Sequence, residues 1–217
     1  MPLNFLRRNK KPDVPEPVTE VMTPSASAAL RTGIAFDGIT EEWRLVGRMD
    51  VEGRLSDALN RREAVTIHDV QWGPMDGSGP LVDAPGLRSI DPYDLIIVLA
   101  GEGSLPELND AERAAQRIHK VSYEVALEAP PFRVVGTVQL HPGTEPERIL
   151  DRSSEMFVPV VDAIAMLGDE RIGGDVETVL VNRFYLRGVE QVDKRTGLKH
   201  QRLPGAPLGG TTWQDRS

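Results

Sequence analysis

"GRLSDALNRREAVTIHDV", residues 53–70, changes its period partway along. Leu55, Ala58 and Leu59 fall at i, i+3 and i+4, the one-face spacing of a short helix. From Ala64 onward the apolar residues alternate, with Val65 and Ile67 on one side and Thr66 and His68 on the other. That pattern predicts a strand. About ninety residues later "ERILDRSSEMFVPVVDAI" (147–164) behaves similarly.

The correspondence extends in both directions. "WRLVGRMD" (43–50) matches "FRVVGTVQ" (132–139) at an offset of 89, pairing Arg44 with Arg133, Val46 with Val135 and Gly47 with Gly136. "RLSD" (54–57) matches "RILD" (148–151) at 94, and "AVTIHDV" (64–70) matches "FVPVVDA" (157–163) at 93. "DLIIVLA" (94–100) resembles "ETVLVNR" (177–183) in residue type alone. Conserved block order with drifting offsets is what an internal duplication with loop insertions produces.

Each copy reads as strand, short helix, strand, long loop, strand. Gly47 and Gly136 interrupt strand-like runs, where glycine marks a bulge or tight bend. Thr144 and Glu147 have capping-box spacing. Residues 73–86, "GPMDGSGPLVDAPG", carry no helix or strand signal and read as an exposed excursion. Between the copies Ala111, Ala114, Ala115 and Ile118 trace one face of a helix over 109–120. Pro130-Pro131 separates two strands, and a turn is expected at Asn182-Arg183. The predicted fold is mainly β with short helices (α+β): two related small barrel-like or half-barrel units. Expected boundaries are 1–35 for a disordered basic tip and linker, 36–105 for the first repeat and 106–121 for a connecting helix. The second repeat then takes 122–193 and a disordered tail 194–217.

The "RLSDALN" stretch, followed by an apolar strand ending in Asp69-Val70, resembles a family of small bacterial β-rich domains of uncharacterised activity. "VLVNRFYLRGV" (179–189) is similar to the last two strands of that family. The resemblance implies the domain boundaries and no particular reaction.

Whole-chain composition excludes several chemistries. There are no cysteines, which rules out disulfides, thiolate metal sites and a cysteine nucleophile. No apolar run approaches the roughly 18 residues of a membrane-spanning helix, and no secretory leader is recognisable at the start, so a cytoplasmic location is expected. Net charge is −8, unevenly spread. Arg7, Arg8, Lys10 and Lys11 give the first twelve residues +4; taking these four from 25 leaves 21 basic against 33 acidic residues, or −12. So acidic a body repels phosphate backbones, and nucleic-acid binding by it is not expected. The tip itself sets Leu3, Phe5 and Leu6 beside Arg7, Arg8, Lys10 and Lys11, a composition suited to weak docking on an anionic surface.

Asp69 and Asp162 are the sharpest candidate side chains. Strand alternation sets Asp69 on the face of Val65 and Ile67, and Asp162 on that of Val158 and Val160. An aspartate pair could serve as acid and base, or as metal ligands. A repeated fold needs the same residues twice more often than a catalytic centre does, so we read them as structural, ion-paired with Arg54 and Arg148. By the same logic, features present in one copy alone are better functional candidates: His68, Trp72, the 73–86 excursion and "AGEGS" (100–104). Trp43 and Trp72 are themselves expected in the core, and His68 on the surface. "LIIVLAGEGSLPE" offers Gly101, Glu102, Gly103 and Ser104 as a candidate ligand loop, but Pro106 stands where G-x-G-x-x-G needs its third glycine. No hydrolase elbow is present, and four scattered histidines lack metal-ligand spacing, so no cofactor or metal is expected. The reading is a non-enzymatic bacterial protein-interaction or scaffold/regulatory module, its partner another protein reached through the 73–86 loop and the chain ends. The alternative is a small-molecule or nucleotide-binding protein using Gly101–Ser104.

Overall fold

The structure, a computed structural model, describes residues 33–101, 120–152, 155–174, 176 and 178–193. The basic tip, the linker, the 109–120 helix except Lys120, and the tail fall outside the described residues. The first half contains β1 (Ile34–Ile39), β2 (Trp43–Met49), α1 (Leu55–Asn60), β3 (Val65–Pro74), β4 (Val82–Asp83), β5 (Ser89–Ile90), a 3-10 turn at Pro92–Asp94, and β6 (Ile97–Ala100). The second contains β7 (Val121–Ala129), β8 (Phe132–Leu140), a 3-10 turn at Pro146–Leu150, β9 (Phe157–Leu167), β10 (Glu170–Ile172), β11 (Thr178–Asn182) and β12 (Gly188–Gln191). β1 begins two residues ahead of the expected boundary at 36, because Ile34 and Ala35 already pair with Met49 and Arg48.

All pairings are antiparallel, and the strand order is β12-β7-β8-β9-β11-β6-β1-β2-β3-β4, with β10 on β9 and β5 on β3. The fold is therefore mainly β, as expected, but the path runs open from β12 to β4 rather than closing. No described helix is long and apolar enough to cross a membrane.

The pairing scheme of the first half recurs in the second. β1-β2-β3 and β7-β8-β9 are meanders, and each has one register break: between Val46 and Arg48, and between Val135 and Thr137. Gly47 and Gly136 sit in the breaks. Opposite them Asp69 and Asp162 adopt positive φ, 51° and 49°. A Cβ on Gly47 would stand 3.0 Å from the His68 carbonyl oxygen; one on Gly136 would stand 2.9 Å from the Val161 carbonyl oxygen. Each repeated glycine thus lets a β-bulge close, and each repeated aspartate is the residue the bulge turns over. This corrects the expected orientation of both acids. The bulge adds one residue to the alternation, so Val70 and Ala163 point inward while Asp69 and Asp162 are exposed.

β5 pairs with the start of β3 as β11 does with the start of β9, and β4 with its end as β10 does. Asp91 and Asn182 then begin the same turn. Each side chain accepts the N–H two residues on, from Tyr93 and Phe184, at 3.0 Å. After the turn β6 lies on β1, Ile97 opposite Ile39, as β12 lies on β7, Gly188 opposite Glu128. The sequence match of "DLIIVLA" to "ETVLVNR" is therefore superseded: β12, not β11, stands where β6 stands. The two runs look alike for another reason. β6 and β11 pair with each other along the seam and are buried on both faces, which selects continuous apolar runs.

Two cores result. Leu45, Met49, Leu55, Leu59, Val65 and Ile67 anchor the first, and Val125, Leu127, Phe132, Val134, Val158 and Val160 the second. The seam strands feed both. Val98 and Ala100 point into the first core and Ile97 and Leu99 into the second, while Leu180 joins the first and Val179 and Val181 the second. At six residues α1 is too short to hold on local propensity. Burial of Leu55, Ala58 and Leu59 holds it, at roughly 1.5–3 kcal/mol for each leucine. Its last residue, Asn60, clamps the other half, accepting the Phe157 N–H at 2.7 Å and donating to the Phe157 carbonyl at 3.5 Å. The capping box expected at Thr144 and Glu147 does not form. The turn starts later, with Glu145 at its cap position and Pro146 next, and no side-chain cap bond.

Candidate functional site

The open end of the first half gathers apolar side chains on its surface. β2 starts at Trp43 because Thr40 pins the hairpin: its hydroxyl accepts the Trp43 N–H at 3.0 Å, and its own N–H donates to the Trp43 carbonyl at 2.8 Å. Register places Trp43 opposite Pro74 and Leu45 opposite Trp72, so the two tryptophans are diagonal neighbours on one face. Their rings lie 4.4 Å apart at 44°. Both were expected in the core, yet they are 40% and 38% exposed. They do share the inward-facing side of β2 and β3, but the core ends before it reaches them.

β4 completes the surface. Val82 pairs with Trp72 and is 56% exposed, and Leu81, 38% exposed, lies over Gly73. The 73–86 segment is thus not wholly irregular. β3 runs on to Pro74, and Val82–Asp83 returns along it, tied by the Gln71 amide to the Asp83 carboxylate at 2.9 Å. Between them Asp76 accepts the Ser78 N–H at 3.0 Å, and that bond from the Ser78 backbone holds the Asp76 carboxyl below its ordinary range.

In the second half the equivalent positions are filled. Phe132 stands where Trp43 does and Ala165 where Trp72 does, and both are buried. Ile39, Ile97 and Leu99 of the first half pack into that core, and the Leu99 side chain lies so close to Gly173, beside β10, that a Cβ there would displace it. The Trp43–Trp72 surface is the corresponding place with no counterpart of Leu99 among the described residues.

A second cluster lies at the seam. Arg62 and Arg152 each set a guanidinium 5.8 Å from the Phe184 ring centre, and Tyr93 approaches that ring at 5.5 Å. Half-buried Arg183 donates to the Asp151 carbonyl at 3.1 Å. Burial lowers its pKa, and the charges of Glu155 and Asp151 oppose that. Arg62 and Arg152 come from the two halves, and we read the cluster as a fastening. A groove of about 330 Å³ beside α1 is rimmed by Asp50, Glu52, Glu63 and Arg61. Among the described residues no three acidic or histidine side chains converge as a metal site.

The other sequence candidates are placed as follows. Arg54 precedes α1 and Arg148 lies in the Pro146–Leu150 turn, while Asp69 and Asp162 occupy the bulges. Arg44 and Arg133, also repeated, form salt bridges with Asp37 at 2.5 Å and with Glu128 at 3.1 Å. His68 is part-buried on the face of β3 away from Val65 and Ile67. Gly101 follows β6, and a Cβ there would meet the Ala35 carbonyl oxygen at 3.1 Å. Glu102, Gly103 and Ser104 lie outside the described residues, as do Leu3, Phe5, Leu6, Arg7, Arg8, Lys10 and Lys11. Sequence reasoning missed the Asp91–Asn182 correspondence. The signal was present: "DPYDL" (91–95) and "NRFYL" (182–186) both open on Asp or Asn and close on leucine.

No family model, no curated protein and no solved structure matches this chain.

Proposed function

We propose that the chain is a non-catalytic protein-interaction module, built as two copies of one β unit, whose first copy presents Trp43 and Trp72 to a protein partner. The observation that carries this reading is that paired tryptophan surface. Contiguous exposed apolar side chains mark interaction sites, and aromatic residues are enriched in the cores of such interfaces. Repetition supports the two-copy reading: matching bulges, matching turns and matching strand pairings recur in the same order. The ion pairs of Arg54 with Asp69 and of Arg148 with Asp162 belong to the same proposal as structural fasteners.

The test uses Trp43→Ser and Trp72→Ser in the full chain as bait. Proteins captured by the native chain and lost with either variant support the reading, provided each variant keeps the native far-ultraviolet circular dichroism. Identical capture by native and variant chains refutes it. The alternative, ligand capture by the Gly101–Ser104 loop, predicts instead that a saturating nucleotide raises the unfolding temperature.

A further inference from the structure

We infer that the open end of the first half takes an extended segment of another protein by β-strand addition along β5, with alternate apolar side chains landing on Trp43 and Trp72. This rests on the interaction-module reading and specifies the partner's chemistry.

The fold contains its own template. In the second half β11 holds β6, with Val179 opposite Leu99 and Val181 opposite Ile97. Ile97 and Leu99, two apart, turn into the second core, and Leu99 reaches Gly173. β5 stands in the first half where β11 stands in the second. The Ile67 N–H donates to the Arg88 carbonyl, so Ser89, the next residue along, turns its own N–H and C=O away from β3. Among the described residues β5 pairs with β3 alone. The first half thus carries a backbone edge at the start of β3 and an uncovered apolar end at its other end, and the path of β6 past Gly173 in the second half shows how one strand can serve both.

A second copy of this chain is the weaker fit. By the same correspondence it would offer β12, which has Gly188 where β6 has Ile97 and Glu190 where β6 has Leu99. A carboxylate in the Leu99 position would be brought against the tryptophan end, which disfavours propagation of the tandem. The complementary partner is instead a strand with apolar residues two apart, as in β6 itself.

A synthetic peptide of residues 94–101 flanked by lysines serves as the probe. It is titrated into the full-length protein with tryptophan emission as the readout, alongside hydrogen exchange at the Ser89 amide. Expected are saturable binding with an emission blue shift, protection of Ser89, and at least tenfold weaker binding for a peptide with Val98→Pro or for the Trp72→Ser protein. Equal binding of the proline peptide, or binding without protection of Ser89, overturns strand addition while leaving the tryptophan surface as an interaction site. No peptide binding, together with concentration-dependent self-association that protects Ser89, overturns the occupant in favour of a second copy. Neither result bears on the loss of captured partners in the Trp43→Ser chain, which tests the underlying reading separately.

Discussion

The Asn182 side-chain amide donates to the Leu95 carbonyl at 2.7 Å and to the Pro92 carbonyl at 3.3 Å, joining the closing turns of the two halves. Its oxygen accepts the Phe184 N–H, and its own backbone N–H donates to Ile96. Asp91, its counterpart, makes the same local bond from an exposed position. A carboxylate could not replace Asn182, because it has no hydrogen to give the two carbonyls.

Asn182→Ala should lower stability by roughly 2–4 kcal/mol, since it leaves buried partners unsatisfied. Asn182→Asp should cost more at pH 7. Burial raises the folded-state pKa of such an aspartate above its unfolded value, so the loss should shrink as pH falls towards 4, where a protonated carboxyl can again donate. Asp91→Ala should cost about 1 kcal/mol. Urea denaturation at both pH values measures all three, and equal losses for the Asp91 and Asn182 alanine variants would contradict the assignment.

The bulges predict an order of effects. Gly136→Ala should destabilise by about 1–3 kcal/mol, because its new methyl would stand 2.7 Å from Val160 and 2.9 Å from a backbone oxygen. Gly47→Ala should cost less, its closest contact being 3.0 Å. Asp69→Val and Asp162→Val should each lose about 1–2 kcal/mol, since a branched residue at positive φ is strained, whereas glycine, free of that strain, should cost less at both sites. Thermal denaturation of the six variants gives the ranking. A harmless valine at either aspartate would show that the bulge does not constrain it.

Trp43 and Phe132 stand at matching positions with opposite burial. Phe132→Ala should cost about 3–5 kcal/mol, as core truncations do. Trp43→Ala should cost under about 1.5 kcal/mol, the worth of an exposed aromatic pair. A large loss at Trp43 would mean the surface is structural rather than available to a partner.

Tyr185 supplies a test at alkaline pH. Its hydroxyl donates to the Tyr93 carbonyl at 3.2 Å, and burial raises its pKa above the ordinary 10.0, helped by Glu41 and Asp94. A raised folded-state pKa stabilises fully below the unfolded value and is lost as pH rises through the folded one. Native stability should therefore fall above pH 10 more steeply than that of Tyr185→Phe, measured by urea denaturation between pH 8 and 11.

Much of the fold was legible in residue order alone. Alternation at Val65 and Ile67, helical spacing at Leu55, Ala58 and Leu59, and the glycines at 47 and 136 depend on near neighbours, and local sterics express themselves in short patterns. The inward faces of the tryptophans were legible too, but not their exposure. Whether Trp43 or Phe132 meets a core depends on which strand crosses that end of the sheet, and that is decided by the seam between β6 and β11. The bulges likewise turned Asp69 and Asp162 outward, since one inserted residue reverses alternation beyond it. Composition and period thus determined the long strands and α1 in their order, while β4, β5, β10 and the 3-10 form of the Pro146–Leu150 turn were not legible. Tertiary structure decided which of two matching surfaces is covered, because burial is a property of the partner brought alongside and not of the strand that receives it.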